Sequence, residues 1–214
     1  MTTPTTPSTP STPASYFEEL YRDAADPWHL AERWYEHRKY DLTVASLPQH
    51  RYRRAFEPAC SVGELTARLA ERCDALLACD RVQSAVESAS RRTRDLPHVE
   101  VRRLAVPEEW PEGSFDLIVL SELLYYFDTE TLDRVLTRTV DALEPGGTVV
   151  AVHWNHRVSE HVRTGGELAS LLASVPSLAV TGEHFEEDFV LQTLGPRLPD
   201  GSAPPSPAAR EGLL

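Results

Sequence analysis

FEPACSVGELTARLAERCDALLACD, residues Phe56 to Asp80, reads as a strand, a tight turn, a helix and a second strand that ends in a carboxylate. In nucleotide-binding sheets an acidic residue at that strand tip holds a ribose. The turn has one glycine, Gly63, with Ala59 and Ser61 standing where a dinucleotide-binding turn carries two more. Such glycines let the backbone close on a pyrophosphate while helix amides face its charge. A turn crowded by two side chains does not suit a diphosphate.

Outward from this unit the alternation continues. Strand-like segments at 53–59, 75–80, 99–105, 115–122 and 148–154 are separated by helical stretches near 62–72, 82–93 and 128–143. The last helix carries Leu132, Val135, Leu136, Val140 and Leu143 on one face, begins at Asp128 or Thr129 and stops at Pro145-Gly146-Gly147. Strands alternating with helices predict a parallel sheet covered on both faces, a three-layer α/β fold with FDLIVL as its central strand. After Trp154 a helix, GGELASLLASV, precedes LAVTGEHF and DFVLQTL. The few residues between these last two permit a hairpin, so the sheet of seven should end with an antiparallel member.

Both chain ends differ in character. Residues 1–14 are Thr, Ser and Pro almost throughout, and 195–214 are of similar composition, so both read as disordered tails around one domain spanning 15–194. Ser15 and Glu18 offer a capping box for a helix to about Ala25, and Pro27 should open a longer one closed by Pro48. These helices, 15–47, are expected to form a lid over the sheet.

Composition narrows the partners. The net charge is −12, which repels phosphate backbones and anionic lipid and argues against nucleic-acid or membrane partners. Three cysteines, Cys60, Cys73 and Cys79, form neither a CxxC pair nor a ligand cluster, so no metal site or disulfide framework is expected. Neither a signal-like start nor a membrane-length apolar run is present, and a cytoplasmic protein is expected. Oligomeric state is not legible.

Ligands of open α/β sheets lie beyond the carboxyl ends of the strands, where strand order reverses. A nucleoside cofactor without phosphates asks only for a turn that lets an amino-acid moiety pass and a carboxylate on its sugar, and S-adenosylmethionine (SAM) fits both. Asp80, followed by Arg81, is expected to take the ribose hydroxyls, and Glu57 to orient the turn or the cofactor's ammonium; Ala59 and Gly63 shape the turn. Ser121 and Glu122 end the fourth strand and His153 and Trp154 the fifth, with Tyr125 just beyond. Glu122 or His153 is the candidate base, and Tyr125 and Trp154 the candidate acceptor contacts. Positioning of two reactants supplies more of the acceleration than a base does, about 7–11 against roughly 3–5 kcal/mol, so a conspicuous base is not required. Cys60 reads as a packing residue, and Trp34 as one that buries its helix on the sheet.

EPACSVGELTARLA, LLACD, WPEGSFDLIVLSELLYYF and LEPGGTVVAVHW, in that order, resemble class I SAM-dependent methyltransferases of the nodulation-protein-S type, over about Tyr16 to Leu194. Asp26-Pro27-Trp28 and the YExxK segment from Tyr35 to Lys39 resemble the same group. The resemblance implies a Rossmann-like seven-stranded fold, and Tyr35 with Arg38 as a cover over the cofactor. It implies methylation of an amine on an aminosugar oligosaccharide or a small molecule, N- rather than O-methylation. Where the family often has a carboxylate for adenine, this chain has Leu104, so adenine should rest on amides near Ala105 or Val106. Two rival readings are a SAM-binding scaffold without turnover and an NAD(P)-dependent oxidoreductase.

Overall fold

The computed structural model describes residues 9–214. Seven strands, β1 (Ala55–Pro58), β2 (Leu76–Asp80), β3 (Val99–Arg103), β4 (Phe115–Ser121), β5 (Leu143–Trp154), β6 (Leu178–Phe185) and β7 (Phe189–Pro196), form one sheet in the order β3-β2-β1-β4-β5-β7-β6. The five strands β1 to β5 pair in parallel, and β7 inserts antiparallel between β5 and β6. The expected antiparallel ending is therefore present. Strand order reverses between β1 and β4, which opens a crevice at their carboxyl ends.

Period-2 alternation splits the buried strand residues between two cores. Phe56, Leu77, Ile118, Leu120, Val149 and Ala151 face one side, where Leu132 and Val135 of α5 (Thr129–Ala142) cover them. Ala55, Leu76, Leu117, Val119, Val150 and Val152 face the other, under Leu65 and Leu69 of α3 (Glu64–Ala70). Helix α5 starts as expected, with the Asp128 carboxylate accepting from the Thr131 amide at 2.8 Å. Strand β5 begins earlier than expected, at Leu143, through an irregular register opposite Phe115 and Leu117.

The N-terminal helices depart from the sequence reading. Helix α1 (Ala14–Asp23) has Pro13 at its N-cap and no side-chain cap, so the Ser15–Glu18 box is not formed. The reason is tertiary: the Thr12 amide is already bonded to the Tyr126 carbonyl, and the helix starts directly behind it. Helix α2 runs only over Trp34–Ala45, not from Pro27. The Asp26 carboxylate takes the amides of Leu30 and Ala31, and His29 sits at φ 57°, so the chain turns there instead of coiling.

Both tail stretches also make contacts within the described residues. Thr12 and Ser11 bond to residues around Tyr126 and Asp128, so the chain is anchored before residue 14; residues 1–8 lie outside the described part. Beyond β7, Pro204 is buried against Gly195, and α7 (Pro207–Arg210) is capped by Ser206. Helices α4 (Gln83–Arg92) and α6 (Gly165–Ala173) complete the layers. No described helix is long and apolar enough to cross a membrane.

Candidate active site

A cavity of about 380 Å³ occupies the crevice at the switch point, floored by the carboxyl ends of β1, β2, β4 and β5 and roofed by α1, α2 and Thr12. Its two ends differ chemically.

At the β1–β2 end the first turn holds three left-handed residues, Ala59 (φ 58°), Ser61 (φ 52°) and Gly63 (φ 80°). The backbone thus keeps a glycine-type turn with two side chains in it. Gly63 is needed twice over, since a Cβ there would meet the Ala89 Cα of α4 at 2.9 Å. Ser61 is held by its amide on the Asp80 carboxylate at 3.0 Å and by its hydroxyl, which shares a 2.5 Å hydrogen bond with the Tyr21 hydroxyl. Asp80 also accepts from the Val82 amide at 2.9 Å, so it ties strand tip, turn and helix start together. Burial raises its pKa above the ordinary value despite these bonds. Glu57 is buried and accepts from the Thr66 hydroxyl at 2.6 Å; burial pushes its carboxyl up to about 8, so it is protonated at neutral pH.

Residues Glu57, Ala59, Asp80 and Arg81 line this end of the cavity, with Leu104 and Val106 beside them. Gly63 and Ala105 do not line it, and the Ala105 amide donates instead to the Glu109 carboxylate at 2.8 Å. Cys60 is buried and burial pushes its thiol well above the ordinary value, in keeping with a packing residue.

The β4–β5 end is organised around Glu122, which holds φ 50°. Its carboxylate accepts from the Lys39 ammonium at 2.5 Å, the Tyr125 hydroxyl at 2.6 Å and the Trp154 amide at 2.9 Å. Lys39 is 2% exposed and also pairs with Glu36 at 2.9 Å. Burial pushes the Lys39 ammonium down, but the two carboxylates prevail and hold it above its ordinary value. Burial likewise raises Glu122, and Lys39 overrides it, leaving the carboxylate below its ordinary value. Lys39 and Glu122 therefore stay charged.

Ser121, Glu122, Tyr125 and Trp154 all line the cavity. His153 does not: it is buried, Nε2 accepts from the Leu124 amide at 3.2 Å, and burial lowers it to about 4. At the tip of β5 the side chains alternate, so Trp154 points to the crevice and its neighbour into the core. Tyr35 and Arg38 are also elsewhere. Tyr35 packs edge-on against Trp154 and Phe189, and Arg38 forms a two-pronged pair with Glu186 at 2.6 and 2.7 Å. Helix α2 shows the cavity its other face, Glu36, Lys39 and Tyr40. That i, i+3, i+4 spacing was present in the sequence and could have revealed them. Trp34 is 74% exposed rather than packed on the sheet.

Comparison with known proteins follows the same lines. Residues 14–169 match the family model described as Nodulation protein S (NodS). Nodulation protein S of Rhizobium tropici is 32% identical over 178 residues, which cover 78% of this chain and 74% of that one. A crystal structure from Pseudomonas syringae is 45% identical, with a TM-score of 0.66 over 75% of this chain and 98% of its own. N-methyltransferase NodS from Bradyrhizobium japonicum WM9, solved in complex with S-adenosyl-L-homocysteine, superimposes with a TM-score of 0.76 at 24% identity. That alignment covers 84% of this chain and 97% of the other.

Proposed function

From the premise that the chain belongs to the nodulation protein S family of SAM-dependent methyltransferases, we propose that it methylates an amine, carried on an aminosugar oligosaccharide or a small molecule. When bound, SAM supplies an electrophilic methyl group on a sulfonium. The residues present suit that cofactor. Asp80 keeps lone pairs for a ribose diol, Leu104 and Val106 give an apolar seat for a flat base, and Ala59 and Ser61 leave a turn unsuited to a diphosphate. Arg81 and Ser121 extend the cofactor wall from the strand tips, and the Glu57 carboxyl fixes the turn through Thr66.

One observation carries the amine reading: the acceptor end is walled by the aromatic rings of Tyr125 and Trp154 and by the carboxylates of Glu122 and Glu160. Aromatic faces suit a cation or a sugar ring, and carboxylates draw in a charged amine while repelling an acid. Lys39, Tyr125 and the Trp154 amide fix Glu122, so this carboxylate orients the acceptor end rather than cycling protons. His153 supports the same wall from behind through Leu124.

The test is incubation with methyl-labelled SAM and a panel of deacetylated chitooligosaccharides, neutral sugars, small amines and carboxylic acids. Label should enter the amines. Label confined to acids or hydroxyls, or absent from every acceptor, would overturn the proposal.

A further inference from the structure

Resting on the methyl-transfer reading, we propose that His161, on the loop between β5 and α6, accepts the proton that the acceptor amine gives up. An amine ends the reaction with one hydrogen fewer on nitrogen. The amine lone pair would form the new N–C bond as the S–C bond breaks with its electron pair going to sulfur. One N–H bond would then break, its pair staying on nitrogen, and the proton needs a base with a free lone pair in the cavity.

The titratable groups around the cavity are nearly all committed. Asp80 binds two amides, and Glu57 is itself protonated and bonded to Thr66. Glu36 and Glu122 are both paired with Lys39, and Glu64 is paired with Arg68 and Arg92. Glu160 accepts from the Ser159 hydroxyl at 2.7 Å, which holds its carboxylate below the usual range and makes it a weak base. His161 remains. Its Nδ1 is buried with no hydrogen-bond partner among the described residues.

The ring is also held in place. It stacks on Tyr125 with centroids 3.7 Å apart and planes 16° from parallel, and Tyr126 meets its edge at 5.0 Å. The loop is fixed on both sides, by the Val162 amide on the Tyr125 carbonyl at 2.7 Å and by the Thr12 hydroxyl on the Glu160 carbonyl at 2.5 Å. Tyr125 itself donates to Glu122, so the imidazole lies over a ring bonded to the carboxylate that organises the acceptor end. A base pre-positioned by stacking, with no competing partner, is what general-base catalysis needs.

The groups facing the ring are Glu122 at the end of β4, Tyr125 and Tyr126 after it, His153 of β5 and Glu160 beside it. Burial pushes the imidazole below its ordinary 6.5, and Glu122 and Glu160 pull the other way without prevailing. His161 is therefore neutral at pH 7 and able to take a proton. As the pH falls through its pKa the ring charges and the rate should fall with it.

Four measurements test this. In protein labelled with ¹³C-histidine and holding S-adenosylhomocysteine, the His161 signal, assigned by its loss in His161→Gln, should titrate with a midpoint below 6.5. A midpoint above 7 would leave the ring charged at neutral pH and overturn the proposal. With the best amine of the panel above, His161→Gln should lose about 10²-fold or more in kcat and lose the acid limb of the pH profile. S-adenosylhomocysteine affinity by calorimetry should hold within about twofold. Added imidazole should restore rate to His161→Ala. A wild-type rate in His161→Gln, or a parallel loss of S-adenosylhomocysteine binding, would sink the assignment. Failure of the unmutated chain to bind S-adenosylhomocysteine would instead bring down the methyl-transfer reading itself.

Discussion

At Ala59 the backbone sits at φ 58°, a region in which an L side chain costs about 1–2 kcal/mol. Ala59→Gly should therefore stabilise the fold by about 0.5–1 kcal/mol in urea unfolding, once glycine's larger chain entropy is set against the relief. Asp80 was visible in the sequence because a strand tip followed by a helix start is a local pattern; its burial and its two amide bonds were not. Asp80→Ala should weaken S-adenosylhomocysteine at least tenfold by calorimetry, about 1.4 kcal/mol, through lost ribose hydrogen bonds. Glu57 gives a pH signature. Its folded pKa of about 8 lies above the ordinary 4.5, so the folded state binds the proton more tightly. That contribution is full below pH 4.5 and fades as the pH rises to about 8, by roughly 1.4 kcal/mol per unit. Glu57→Gln should remove that slope, so that its stability relative to the parent chain rises from pH 5 to pH 8 in urea titrations.

Helix α2 is the element whose placement the sequence left most open. Its YExxK segment drew attention to Tyr35 and Arg38, yet the face turned to the cavity is Glu36, Lys39 and Tyr40. Periodicity alone does not say which stripe of a short amphipathic helix meets the sheet; the ion pair from Lys39 to Glu122, 83 residues away in sequence, decides it. Lys39→Met leaves two carboxylates, Glu36 and Glu122, buried without their counter-charge, and breaking such a pair costs about 3–5 kcal/mol. Unfolding free energies should show that loss. The double variant Lys39→Met/Glu122→Gln should regain part of it, and a double variant as unstable as the single one would mean the triad is not what docks the helix.

Across the whole molecule the cavity depends on segments distant in sequence: the β1 turn, the tips of β4 and β5, α1 and α2, and the N-terminal segment that Thr12 fastens to Tyr126 and Glu160. Deletion of residues 1–13 should speed deuterium uptake in residues 157–163, while β1 and β4 stay protected. Unchanged uptake there would show that Thr12 does not restrain this loop. The sequence by itself determined the layered α/β architecture, the antiparallel ending and the crevice wall at Asp80, Glu122 and Trp154, because periodicity and strand ends are local properties of the chain. Tertiary structure decided the rest. His153 and His161 are the same side chain eight positions apart; sheet parity turned one into the core, and a loop pinned by Thr12 and Tyr125 stacked the other at the cavity wall. Which ionisable groups stay free depends on partners brought together from across the fold, and no local pattern records that.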